Sequence, residues 1–172
     1  MRLALLALLA ILALPAAGQD AEEPMTPERL AVIVRALDPY AQPAGPGITF
    51  AINDVPVLIV MDVIANRMRA MVPIRSAEGM TPEEVLRVMQ ANFDTALDAR
   101  YAIANGRLWA VYIHPLRELE RDQLISGIGQ TVNIALTYGT LYTGGAAEFG
   151  GGDSQDLQRE LLEELLERGQ DI

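Results

Sequence analysis

Apolar residues recur along this chain with two periods, and the changes of period mark its elements. Over residues 27 to 37, Leu30, Ile33, Val34 and Leu37 share one helical face. A second helical stretch, from Pro82 to about Leu97, sets Val85, Leu86, Met89, Phe93 and Ala96 on one stripe. A third, from about Leu119 to Tyr138, repeats Leu124, Ile128, Val132 and Leu136 every fourth residue, with Gly127 and Gly129 inside it. Glycine weakens a helix but permits close packing against a sheet.

Between the helices the pattern is extended. "GITFAI" precedes the turn-forming pair Asn53-Asp54; "VPVLIVM" is continuously apolar; "RMRAMVPI" follows the "DVIAN" turn. "RYAIA" and "RLWAVYI" flank Asn105-Gly106, a pair suited to a two-residue hairpin turn because both turn positions need positive φ. Such a turn predicts that Ala104 pairs with Arg107, Ile103 with Leu108, Ala102 with Trp109 and Tyr101 with Ala110. The order is α-β-β-β-α-β-β-α, which predicts an α+β fold: a five-stranded antiparallel sheet flanked by helices.

Punctuation supports these boundaries. "MTPER" and "MTPEE" each offer a capping threonine, a proline in the first helical position and acidic residues in the positive first turn. Thr81 and Glu84 have capping-box spacing. "DPYAQPAGPG" ends the first helix with three prolines and two glycines and reads as a break.

Alternation along the last hairpin places Tyr101, Ile103, Leu108, Ala110, Tyr112 and His114 on one face, and Ala102, Trp109, Val111 and Ile113 on the other. Both faces carry large apolar groups, whereas a sheet with one solvated side alternates more cleanly. Three helices are too few to cover both faces. Self-association is the expected remedy, with Trp109, Tyr101 and Tyr112 as sheet or interface residues.

Two segments flank this domain of residues 26–142. Residues 1–18 read as a secretion signal: Arg2, an apolar run over residues 3–14, then Pro15, with Ala16 and Gly18 at the −3 and −1 positions of a cleavage site. That run is shorter than the roughly 20 residues a membrane span needs, so no stable membrane insertion is expected after cleavage. A short acidic stretch, residues 19–25, follows. At the other end a glycine-rich linker, residues 143–153, leads to an acidic amphipathic helix over residues 154–172. Its stripe of Leu157, Leu161, Leu162, Leu165 and Leu166 is a candidate partner-binding element. It either folds back on the domain or docks on a partner. A periplasmic or secreted protein results.

Composition narrows the partners. The chain has 13 basic and 23 acidic residues, no lysine and no cysteine. Without Arg2 the balance is 12 against 23, or −11. Nucleic acid and anionic lipid would be repelled. Lipidation at cysteine and disulfides are excluded.

Candidate chemistry is sparse. His114 is the single histidine, so a catalytic base or metal centre would need partners from the acids. Asp62 and Glu118 are the nearest candidates for a hydrolase, but no HExxH, GxSxG or paired-carboxylate motif frames them. The glycine-rich "GGAAEFGGG" lacks the lysine of a phosphate loop. No catalytic, metal or cofactor site is expected. His114 reads as a strand-terminal residue before Pro115.

The segments "VLRVMQANFDTALDARYAIANGRLWAVYIHPL", with its Asn92-Phe93 pair, "ERDQLISGIGQTVNIALTYG" and "ITFAINDVPVLIVM…RMRAMVPI" together resemble the YbjN-like family of bacterial sensory transduction regulators. That family shares its fold with class I type III secretion chaperones. The resemblance covers roughly Thr26 to Tyr142. It implies dimerisation, no catalytic site, and protein binding or regulation. The signal segment and acidic tail depart from its cytosolic members. The sequence therefore predicts a non-enzymatic, chaperone-like periplasmic interaction or regulatory module, a homodimer that binds another envelope protein. The alternative is a small-molecule sensor or carrier with a pocket lined by Tyr101, Tyr112, Met89 and Phe93.

Overall fold

The structure, a computed structural model, describes residues 22–94, 97–139 and 154–170. The segments read as a signal and as a glycine-rich linker lie outside the described residues.

The element order is α1 (Pro27–Leu37), β1 (Gln42–Ala44), β2 (Gly47–Ile52), β3 (Val55–Asp62), β4 (Arg67–Ser76), α2 (Pro82–Asp94), β5 (Arg100–Ala104), β6 (Arg107–His114), α3 (Arg121–Leu136) and α4 (Ser154–Gly169). The strands form one antiparallel sheet in the order β1-β2-β3-β4-β6-β5. The architecture is α+β.

Local chemistry explains most boundaries. Thr26 accepts from the Arg29 N–H at 3.2 Å and caps α1. Thr81 and Glu84 form the reciprocal capping box at the start of α2, with bonds of 3.2 and 2.8 Å. Asn105 and Gly106 both take positive φ, 51° and 70°, and the hairpin has the register the turn demands, Tyr101 to Ala110 through Ala104 to Arg107. Asn53 and Asp54 repeat the device between β2 and β3.

The sheet has six strands, not five. β1 lies in the stretch read as a pure break, and Pro43 pairs with Ile48. A proline has no N–H to donate to a ladder, a loss most easily tolerated at an edge, where this segment lies. Inside the sheet, prolines coincide with the end of the β3–β4 ladder, although Pro56 still pairs with β2 and Pro73 with β6. β3 and β4 pair from Asp62–Arg67 to Leu58–Met71; two steps further along the same register Pro56 would face Pro73, and the ladder stops short of them.

The core lies on one face of the sheet. Ile48, Phe50 and Ile52 of β2, Val57 and Ile59 of β3, and Leu108, Ala110 and Tyr112 of β6 are buried there. α1 buries Leu30, Ile33, Val34 and Leu37 against this face, as its stripe predicts. α3 is buried nearly all round from Leu124 to Ile134, because it is sandwiched between the sheet and α4. Its glycines serve the two neighbours separately. A Cβ on Gly127 would lie 2.4 Å from the Tyr112 ring, and one on Gly129 would lie 3.4 Å from Leu165 of α4.

α2 corrects the sequence reading. Its inward residues are the short Val88 and Ala91, while Leu86, Met89 and Phe93 of the predicted stripe face outward, Phe93 at 91% exposure. The helix is anchored by a polar side chain instead. Asn92 accepts from the Tyr101 N–H at 2.7 Å and donates to the Tyr101 carbonyl at 3.1 Å, which closes part of the β5 edge. Asn92→Ala should therefore cost about 1–3 kcal/mol, as two strand groups lose their partner. Thermal unfolding and faster exchange of the Tyr101 amide would register it; an unchanged amide would refute the anchoring role.

Candidate functional site

The other face of the sheet carries no helix among the described residues. Its side chains are Leu58 and Val60 of β3, Met71 and Pro73 of β4, and Trp109, Val111 and Ile113 of β6. Strand register sets them side by side: Leu58 opposite Met71, Met71 opposite Val111, and Pro73 opposite Trp109. The two-sided apolar character expected from "VPVLIVM" and "RLWAVYI" is present, and the described helices cover one side. Ile113 is 54% exposed. A shallow depression of about 370 Å³ lies between Val60, Arg69, Met71 and Ile113.

Charge surrounds this apolar strip. Arg67, Arg69, Arg100 and Arg107 alternate with it on the same face, against the single carboxylate Asp62 at its end. The Arg107 guanidinium lies 5.9 Å from the Trp109 ring centroid, a cation–π distance. An acidic chain of net charge −10 thus presents a basic, apolar sheet face. Beside it, α2 turns Leu86, Met89 and Phe93 to solvent, with Leu97 and Ile103 also exposed.

The leucine stripe of the tail divides. Leu161 and Leu165 are buried in the main core, Leu165 completely; Leu162 and Leu166 are half-buried. The side chain of Leu157 lies outside the described residues. α4 packs on α3 and touches α1, where Arg168 donates to the Leu37 carbonyl at 3.4 Å. Between the two options left open by the sequence, folding back is the arrangement observed. Tyr101 and Tyr112 are on the core face, and Trp109 is on the open one.

His114 ends β6 with its Nδ1 2.8 Å from the Pro115 carbonyl and its ring stacked on Tyr112, centroids 6.0 Å apart. The acids that would have to serve it are committed elsewhere. Asp62 accepts from the Ala65 N–H at 2.8 Å, closing the β3–β4 turn. Glu118 accepts from Asn66 Nδ2 at 2.8 Å, and this hydrogen bond is the main cause that holds its carboxyl below the usual range. Asn66 also accepts from the Arg117 N–H at 2.9 Å, so it staples the β3–β4 turn to the chain after β6. Among the described residues no group of three or more metal-ligating side chains occurs, and no helix is long and apolar enough to cross a membrane.

The pocket expected from Tyr101, Tyr112, Met89 and Phe93 does not assemble, because Met89 and Phe93 point to solvent while both tyrosines point into the core. A different site, an open cleft of about 540 Å³, lies where β6, α3 and α4 meet. Tyr112 lines it, with Asp98, His114, Asp122, Leu162 and Leu166. Nothing in the local sequence pattern signals it, since its walls come from four separate segments.

No family model matches the chain, and no curated protein matches it. The YbjN-like membership expected from the sequence therefore gains no specific support. Among solved structures the chain is similar to one in the HopA1–SchA chaperone–effector complex, at 8% identity and a TM-score of 0.46, covering 56% of this chain and 77% of that one. It is also similar to one in the complex of the Yersinia pestis type III secretion chaperone SycH with a stable fragment of YscM2, at 13% identity and a TM-score of 0.45, covering 61% of this chain and 98% of that one. What those chains bind is a property of those chains.

Proposed function

We propose that this chain is a non-enzymatic, chaperone-like protein-interaction module of the periplasm that works as a homodimer and holds an acidic, apolar segment of another envelope protein on its open sheet face. One observation carries the reading. The described helices lie on one side of the sheet, and the other side sets exposed Ile113 beside part-exposed Leu58, Met71 and Trp109, with buried Val111 between them and an arginine rim around them. Contiguous apolar surface of this kind marks an interaction site, and tryptophan and arginine are the residues that dominate binding energy.

The rim bears on the choice of occupant. Two copies meeting sheet to sheet would oppose Arg67, Arg69, Arg100 and Arg107 with their own counterparts, a repulsive arrangement. A partner with acidic residues between apolar ones suits the face better. The outer stripe of α2 is the more suitable surface for a second copy: it carries Leu86, Met89 and Phe93 and no arginine between them except Arg87, and a two-fold contact uses each residue twice. The periplasmic assignment is supported by the signal-like residues 1–18.

Phe93→Asp should convert the dimer to a folded monomer, weakening association by roughly thirtyfold or more in analytical ultracentrifugation. A photo-crosslinking residue in place of Ile113 should then capture a defined envelope protein in cells, and one in place of Val32 on α1 should not. A wild-type protein that is monomeric at all concentrations would remove the dimer; equal capture from both positions would remove the sheet-face site.

A further inference from the structure

The two buried tyrosines of the core face are treated differently by the fold. The Tyr101 hydroxyl donates to the Ile134 carbonyl at 2.6 Å. Tyr112 is equally buried, at 6% exposure, yet its hydroxyl meets no hydrogen-bond partner among the described residues. Buried hydroxyls are ordinarily satisfied, so one that is not calls for an explanation. Phenylalanine would fill the same space without that penalty.

The position of the ring is also provided for at a cost. Tyr112 lies directly under Gly127 in the middle of α3, where any Cβ would come within 2.4 Å of Cε1. A glycine in a helix interior is destabilising relative to alanine. The helix therefore accepts a weak residue so that this tyrosine can lie beneath it and border the cavity between β6, α3 and α4.

The remaining walls define what could enter. Asp98 and Asp122 border the cavity and no arginine does. Asp122 is paired with Arg121 at 2.9 Å, whereas the carboxylate of exposed Asp98 has, among the described residues, one long contact, 3.4 Å, from Gln130 Nε2 to its Oδ2. The stacked rings of Tyr112 and His114 form an aromatic wall, and Leu162 and Leu166 of α4 an apolar one. Burial, with the Asp98 charge as a second cause, pushes the Tyr112 phenol up to about 12, so it remains a neutral donor and acceptor. The volume, about 540 Å³, is within the usual span for small-ligand sites.

We propose that this cavity binds a small organic ammonium ion with an aromatic or apolar body, its charge met by Asp98 and its polar end by the Tyr112 hydroxyl. The site is distinct from the open sheet face, with Ile113 bordering both. Because Leu162 and Leu166 form one wall, occupancy also strengthens the docking of α4.

Tyramine is the probe, with 4-hydroxyphenylacetate as its counterpart of equal body and opposite charge. Calorimetry on the purified protein should show saturable one-to-one binding of tyramine and none of the anion. Asp98→Asn should weaken tyramine by about tenfold, as expected for a lost charge-assisted hydrogen bond. Tyr112→Phe should weaken it by up to about tenfold while leaving the melting temperature of the free protein unchanged or higher, since no internal partner is lost. A purely structural role for Tyr112 would instead lower that temperature and leave affinity intact. Failure of tyramine to bind, equal binding of the anion, or unchanged affinity in both variants would overturn the proposal.

Discussion

Leu165→Ala should free α4 from the body of the protein. Leu165 is completely buried, and its Cδ1 sits over Gly129, where the missing side chain of α3 makes room for it. Removing three carbons from such a site costs about 2–5 kcal/mol, because the surroundings fill the cavity only in part. Other described residues of α4 also hold it to α3 and α1, among them Arg168 on the Leu37 carbonyl. Leu161 is buried, Leu166 partly so, and Gly169 approaches so closely that a Cβ there would lie within 2.4 Å of Ile125. An isolated helix of 16 residues is marginal in water, so undocking and unravelling go together. The loss is capped by the docking energy of α4, beyond which the helix simply leaves. Hydrogen exchange should show residues 154–169 losing protection, and the melting temperature should fall by roughly 5–15 °C. Retained protection of α4 would show that its contacts do not hold it.

Gly47→Ala should damage the β1–β2–β3 edge more than any other glycine-to-alanine change in the sheet. The backbone of Gly47 is unremarkable in φ; what it lacks is space. A Cβ would lie 1.9 Å from the Ile59 carbonyl oxygen and 3.1 Å from the Val60 Cα. Both neighbours are main chain, so no side chain can turn aside. The Gly47–Val60 pair must open, and with it the adjoining Ala44–Gly47 pair of β1. A cost of about 3 kcal/mol is expected, at the upper end for overpacking. In urea that is a midpoint shift of about 1 M or more. Gly45→Ala is the control: its φ is +55° and nothing lies within 4 Å, so alanine there meets only the left-handed backbone penalty of about 1–2 kcal/mol. If Gly45→Ala proved the more damaging, the space argument for Gly47 would be wrong.

Much of the architecture is legible in the chain because the signals are local. Asn105-Gly106 fixes its hairpin and every pair in it, since a two-residue turn with positive φ at both positions leaves no choice of register. Leu30, Ile33, Val34 and Leu37 are buried as their spacing demands. Gly127 marks a close approach of α3 to the sheet before any coordinate is known. β1 was obscured because Pro43 carries the signature of a break, and proline is tolerated at an edge that only the neighbouring strand creates.

The candidate sites were legible in unequal measure. The open sheet face follows from strands apolar on both sides, so Trp109 and Ile113 could be singled out from alternation. The outward stripe of α2 could not. Leu86, Met89 and Phe93 have the spacing of a core face, but the helix is held by Asn92 on the Tyr101 backbone and turns Val88 and Ala91 inward. The cleft at Tyr112 was hidden for another reason: Asp98, Tyr112, Asp122 and Leu162 are distant in sequence, and that the Tyr112 hydroxyl has no partner among the described residues emerges only from the tertiary arrangement.

The sequence by itself determined the elements, their order, the hairpin register and the two-sided apolar character of the strands, because backbone dihedral preferences and the periods 3.6 and 2 act over a few residues. The tertiary structure decided which apolar stripes are buried. Burial depends on what stands opposite: α4 packs on α3 and buries Leu161 and Leu165 while Leu162 and Leu166 stay half-buried, α2 is held by Asn92, and no described helix reaches the sheet face that carries Trp109.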